Sequence, residues 1–163
     1  MKRLLVLLGA VVFCGTVSGC TSDPQGDAVG AVIARMVDAS NDIKNIAAEV
    51  DKAVAKHEKD NKVALDLTEA SKMAEKLKKT GEEAQKIKVK QVEQIKVSED
   101  EKAELDRRFR TQINNAFQDL LKARTELNAA LQKAEAIDQQ KVEELRTKIR
   151  EAEGPFETLA RQG

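Results

Sequence analysis

Apolar residues recur along most of this chain with the spacing of helix seams. Val29, Met36, Ile43 and Val50 fall every seven residues, with Val32, Ala39, Ile46 and Ala53 between them. Ile33, Ala47 and Val54 widen the stripe to the breadth a bundle helix needs. The pattern predicts a first helix from about Asp27 to His57, about 45 Å long from the usual helical rise. Ser40, Asn41 and Asp42 interrupt its middle and predict a kink. Lys59-Asp60-Asn61-Lys62 reads as a turn, and Val63, Leu67, Ala70, Ala74 and Leu77 open a second helical stripe. Thr80-Gly81-Glu82-Glu83 has the Thr–Glu spacing of a capping box, so the helix either restarts there or carries Gly81 inside it at about 1 kcal/mol. Residues 84–97 are expected to be helical, although Ile87-Lys88-Val89-Lys90 alternates as a strand would.

Ser98-Glu99-Asp100-Glu101 is a clearer capping box, with acids at the positive end of the helix dipole. The helix it opens has the most regular heptads in the chain. Phe109, Ala116, Ala123, Ala130 and Ile137 alternate with Ile113, Leu120, Leu127 and Ala134. The register then shifts by four residues to Asp138, Val142, Leu145, Ile149, Ala152, Phe156 and Leu159. Such a shift means either a stutter in one long helix or a short turn near Asp138. Gly154-Pro155 should end the element, with at most a helical fragment beyond. The expected fold class is all-α: an antiparallel up-and-down bundle of three to four long amphipathic helices with coiled-coil-like heptads, joined by short turns.

Composition supports helices and narrows the core. The 163 residues are 41% hydrophobic and 34% charged, but only 2% aromatic, with no Trp or Tyr. Val, Ile, Leu and Ala must therefore build the interior, which suits narrow helix–helix seams. Acid and base balance over the whole chain, and pairs such as Glu75–Lys79 and Glu82–Lys86 have the spacing of mutual helical support. No net basic charge and no stacking aromatics argue against a nucleic-acid partner.

The first residues have a different character. Lys2 and Arg3 precede an apolar run from Leu4 to Phe13, too short for a comfortable membrane span and typical of an export signal. Val17-Ser18-Gly19-Cys20 follows: an aliphatic residue, two small ones, then a cysteine. This stretch resembles the lipobox of bacterial lipoproteins, in which the cysteine thiol receives a diacylglycerol and becomes the new N-terminus. The resemblance covers residues 1–20 alone. It implies a signal peptide at 1–19, a lipidated Cys20 with a tether over 20–26, and a helical bundle domain over 27–163. It also implies a covalent diacylglycerol and an N-acyl chain at Cys20, enough to hold a protein stably at a membrane. Lipoproteins retained in the inner membrane of enterobacteria carry Asp after the cysteine. Thr21 and Ser22 stand there instead, so an outer-membrane location is expected in a Gram-negative cell. Removing residues 1–19 takes away Lys2 and Arg3 and Cys14, leaving a slight acidic excess and no thiol beyond Cys20.

Candidate chemistry is sparse. His57, the sole histidine, falls at the frayed end of the first helix, where a cap or packing role is expected. A di-metal carboxylate bundle needs Glu-x-x-His on two helices, and position 54 is Val. Asp42 and Asp138 lie at the edges of stripes and read as polar interruptions that set register. No Gly-rich phosphate loop, nucleophile elbow or zinc spacing is present. Catalysis is not expected, and no cofactor or metal is called for. The densest basic run supplies a candidate contact face: Lys76, Lys79, Lys86, Lys88 and Lys90, with Lys78 and Lys96 nearby. Anionic lipid, a cell-wall polyanion or an acidic partner would suit it. The function expected is a membrane-anchored envelope lipoprotein: a non-enzymatic structural or adaptor module that recognises an envelope protein or a second copy through its helical faces. The alternative is a periplasmic bundle that binds a lipid or other apolar ligand, against which the many seam alanines argue.

Overall fold

The computed structural model describes residues 24–60, 63–90 and 92–162. Four helices account for most of them: α1 (Pro24–Lys59), α2 (Thr68–Gln85), α3 (Glu99–Glu135) and α4 (Gln139–Gln162), with a single 3-10 turn at Val92–Gln94. The protein is all-helical among the described residues, and its helices pack against one another.

Helix α1 starts on Pro24, where a proline costs nothing because the first amides of a helix are unpaired. Its predicted stripe is the core stripe, with Met36, Ala39, Ile43, Ile46 and Val50 fully buried. The helix runs without a break through Ser40-Asn41-Asp42, because the two polar groups that point inward are satisfied by neighbouring helices. Lys56, His57 and Lys59 place positive charge or donors at its carbonyl end. His57 Nδ1 lies 2.7 Å from the Val63 carbonyl and donates to it, closing the turn into the next segment. Helix α2 begins later than expected, at Thr68, after an irregular stretch that buries Leu65 and Leu67. It continues through Gly81, so the Thr80 hydroxyl is not a cap and donates instead toward Asp42 and to the Lys76 carbonyl.

Two expectations are corrected. Among the described residues, the helix expected over 84–97 does not continue past Gln85, where α2 ends, and a connector holding the 3-10 turn leads on to Ser98. Ile87, Val89, Val92, Ile95 and Val97 do not share one helical face, so a helix there would leave some of them in water. Gly154-Pro155 does not end α4, which continues to Gln162. Pro155 removes only one amide, whose partner would have been the carbonyl of the exposed Glu151. Continuing the helix keeps Phe156 fully buried and Leu159 packed on the core.

The other punctuation agrees with the sequence. Ser98 and Glu101 form a reciprocal capping box at the start of α3. The register shift is a turn, not a stutter: α3 stops at Glu135, and Asp138 caps α4 by accepting from the Lys141 amide at 3.1 Å.

Side-chain pairings set the helix directions. Arg35 meets Glu83 and Asp42 meets Lys76, so α1 and α2 run antiparallel. Arg146 meets Glu135 and Arg124 meets Glu153, so α3 and α4 do too. Ser40 bonds the Asp119 carbonyl and Asp51 pairs with Lys133, so α1 and α3 run parallel. Helices α2 and α4 are likewise parallel, with Glu75 near Lys148 and Gly81 against Pro155. The chain still goes up and down, but its two hairpins lie side by side in the cyclic order α1–α2–α4–α3. The connector crosses the diagonal from α2 to α3 and rests its 3-10 turn on α3. Short loops force antiparallel neighbours; this longer crossing makes two parallel seams.

Candidate functional site

Three polar ties run through the interior, each joining a different pair of helices. Asp42 is buried (4% exposed), accepting from Lys76 Nζ at 2.6 Å and Thr80 Oγ1 at 3.4 Å. The carboxylate raises the pKa of the Lys76 ammonium above its ordinary value, first through that hydrogen bond and then through charge. Ser40, also buried, donates to the Asp119 carbonyl at 3.2 Å. A single buried polar group with a partner fixes how two helices slide past one another, and these two do so for α1–α2 and α1–α3.

The third tie is incomplete. Glu153 on α4 is 2% exposed, and its Oε2 lies 3.4 Å from Arg124 Nε on α3. Its Oε1 is buried without a hydrogen-bond partner. Burial raises the pKa of this carboxyl, the Arg124 charge opposes the rise, and the nearby Glu157 adds to it. Arg124 also reaches Glu157 at 3.5 Å. A cleft of about 210 Å³ opens at this seam, lined by Arg124, Asn128, Arg146, Arg150 and Glu153 among others. Arg146 is held by Glu135 at 2.6 Å and by Glu143, which raise its pKa still further. The same contact depresses the Glu135 carboxyl. Chemically, the cleft can store a proton on Glu153 at a higher pH than an ordinary carboxylate. Among the described residues, no group of three or more His, Cys, Asp and Glu side chains is arranged to hold a metal ion.

Of the residues singled out from the sequence, Val17, Ser18, Gly19 and Cys20 lie outside the described residues. Helix α1 begins at Pro24, four positions after Cys20. The basic run is divided. Lys76 is engaged with Asp42. Lys79 lies on α2 and Lys86 at its C-cap, the first residue of the connector, with Glu83, paired to Arg35, between them. Lys88 and Lys90 leave the helix and lie exposed on the connector with Lys96. Sequence reasoning missed Glu153, although a signal was there: it stands four residues after Ile149 and three before Phe156, inside the stripe. Asp42, at the edge of its stripe in the sequence pattern, is buried in the fold.

Among the described residues no helix is long and apolar enough to cross a membrane. No protein-family model, curated protein or solved structure matches the chain.

Proposed function

We propose that the protein is a lipid-anchored envelope lipoprotein whose helical bundle acts as a non-enzymatic structural or adaptor module. The observation that carries this reading is Val17-Ser18-Gly19-Cys20, set at the right distance behind a short apolar run. The closeness of α1 to Cys20 in the sequence supports it, because the helix begins at Pro24, only four positions later. The interior supports an adaptor over a carrier of apolar ligands. Ala39, Ala74, Ala123, Ala130, Ala134 and Ala152 are all buried on the seams, where they bring helices together and close the space a ligand would need. Recognition would then fall to the outer faces of the helices and to the ends of the bundle.

Intact mass of the protein extracted from its own envelope tests the anchor. The expected species begins at Cys20 and carries a diacylglycerol and an amide-linked acyl chain. A species that begins elsewhere, or that lacks acyl chains, would overturn the reading. Cys20→Ala should leave the precursor uncleaved and unlipidated.

A further inference from the structure

We infer that the connector between α2 and α3 is a membrane-contact surface that rests on anionic lipid headgroups beside the anchor. This inference rests on the lipoprotein reading above and names a partner for the anchored end of the bundle. The helix directions carry the placement. Arg35, a third of the way along α1, meets Glu83 near the end of α2, and α3 runs parallel to α1. The start of α1, the end of α2, the connector and the start of α3 therefore share one end of the bundle. Lys86 and Ile87 line a shallow cleft with Ala31 and Ala34 of α1, which puts the start of the connector beside the second and third turns of that helix.

Cys20 precedes Pro24 by four residues, and a fully extended tether of that length spans at most about 14 Å. A lipid on Cys20 thus holds this end, and not the opposite one, against the bilayer. Residues 86–98 contain four lysines (Lys86, Lys88, Lys90 and Lys96) and one acid, Glu93. All four lysines are exposed, and Val89 among them is 38% exposed, while Ile87, Ile95 and Val97 turn partly inward. Glu83 pairs with Arg35, Glu99 with Lys102, and Glu101 caps α3 through Ser98. Exposed Asp27, Glu82 and Asp100 stand around the rim of the connector. Basic side chains around an exposed valine, tethered within reach of a bilayer, fit an anionic lipid surface better than open water. Each lysine near such a surface favours contact roughly fivefold.

The test uses the lipidated protein. After lipidation Cys20 carries no free thiol and Cys14 is gone with the signal, so Val89→Cys accepts a single environment-sensitive fluorophore. The labelled protein is reconstituted into vesicles of phosphatidylcholine, with or without phosphatidylglycerol. The expected result is blue-shifted emission on the anionic vesicles. The shift should be lost in high salt and when Lys86, Lys88, Lys90 and Lys96 are all changed to Gln. Equal emission on both vesicles, in protein whose mass shows acylation, would overturn the contact and leave the anchor standing. A mass without acyl chains would sink the anchor and the contact with it. A shift that appears only when envelope proteins are added would assign the face to an acidic partner instead.

Discussion

Helix α4 packs against two neighbours in opposite ways. Toward α2 it presents Ala152 and Pro155, and Gly81 faces them so closely that a methyl group added there would lie 3.1 Å from the Pro155 ring and 3.2 Å from the Ala152 carbonyl oxygen. Toward α3 it presents Arg146, Arg150 and Glu153, and that seam holds a polar cleft. Small residues let backbones meet and leave nothing polar to satisfy. Long charged residues hold the helices apart, and here they leave one carboxylate oxygen without a partner. The same helix is thus locked on one side and left adjustable on the other.

The strongest way to break this contrast is Gly81→Val. Nothing flexible can yield to the added methyls, so denaturant unfolding should show a loss of about 3 kcal/mol. An unchanged midpoint would mean that the two helices do not approach as described. A smaller effect of opposite sign is expected on the other seam. Glu153→Gln removes a buried charge whose Oε1 is unpaired, and should stabilise the protein by roughly 1 kcal/mol at neutral pH. Destabilisation at that pH would show that the Arg124 contact outweighs the cost of burial.

Titration sharpens the same point. Because folding raises the Glu153 pKa, its contribution is most favourable below the ordinary glutamate value of 4.5 and is lost as pH rises through its folded value. The difference between Glu153→Gln and the parent should therefore shrink as pH falls toward that value. Glu135 and Glu101 act with the opposite sign. Arg146 and Ser98, respectively, lower their pKa values, so their contributions disappear on acidification. A parallel pH dependence in the variant and the parent would remove Glu153 as a proton-binding group. The smallest effect is expected at the rim of the locked seam. Lys148 and Glu75 lie 4.0 Å apart with both side chains largely exposed, and Lys148→Ala should change stability by less than about 0.5 kcal/mol.

The long seams were legible because their signal is local. Every residue of the α1 heptad series is buried or half-buried, and Ser98 with Glu101 announces the start of α3 through bonds made within a single turn. The connector and the end of α4 were not legible, because local rules and tertiary packing disagree there. Pro155 lacks one amide, yet its ring sits against Gly81 and the next residue, Phe156, is wholly buried. Those contacts outweigh a breaker that alone would stop the helix. Glu153 escaped notice because a carboxylate in a stripe looks like a surface residue until the facing helix is known.

By itself the sequence determined that the chain is helical, where most helices begin, which faces are apolar, and that residues 1–20 resemble a lipoprotein signal. Each follows from a period, a cap or a short motif, all of which act over a few residues. Only the tertiary structure decided which helices are neighbours, that two seams run parallel, that Asp42 is satisfied and Glu153 only half so, and that the connector lysines share an end with the start of α1. Those outcomes depend on groups far apart in the chain meeting in a dry interior. There the cost of an unpaired polar atom or a misplaced methyl depends on the partner helix, which no local pattern encodes.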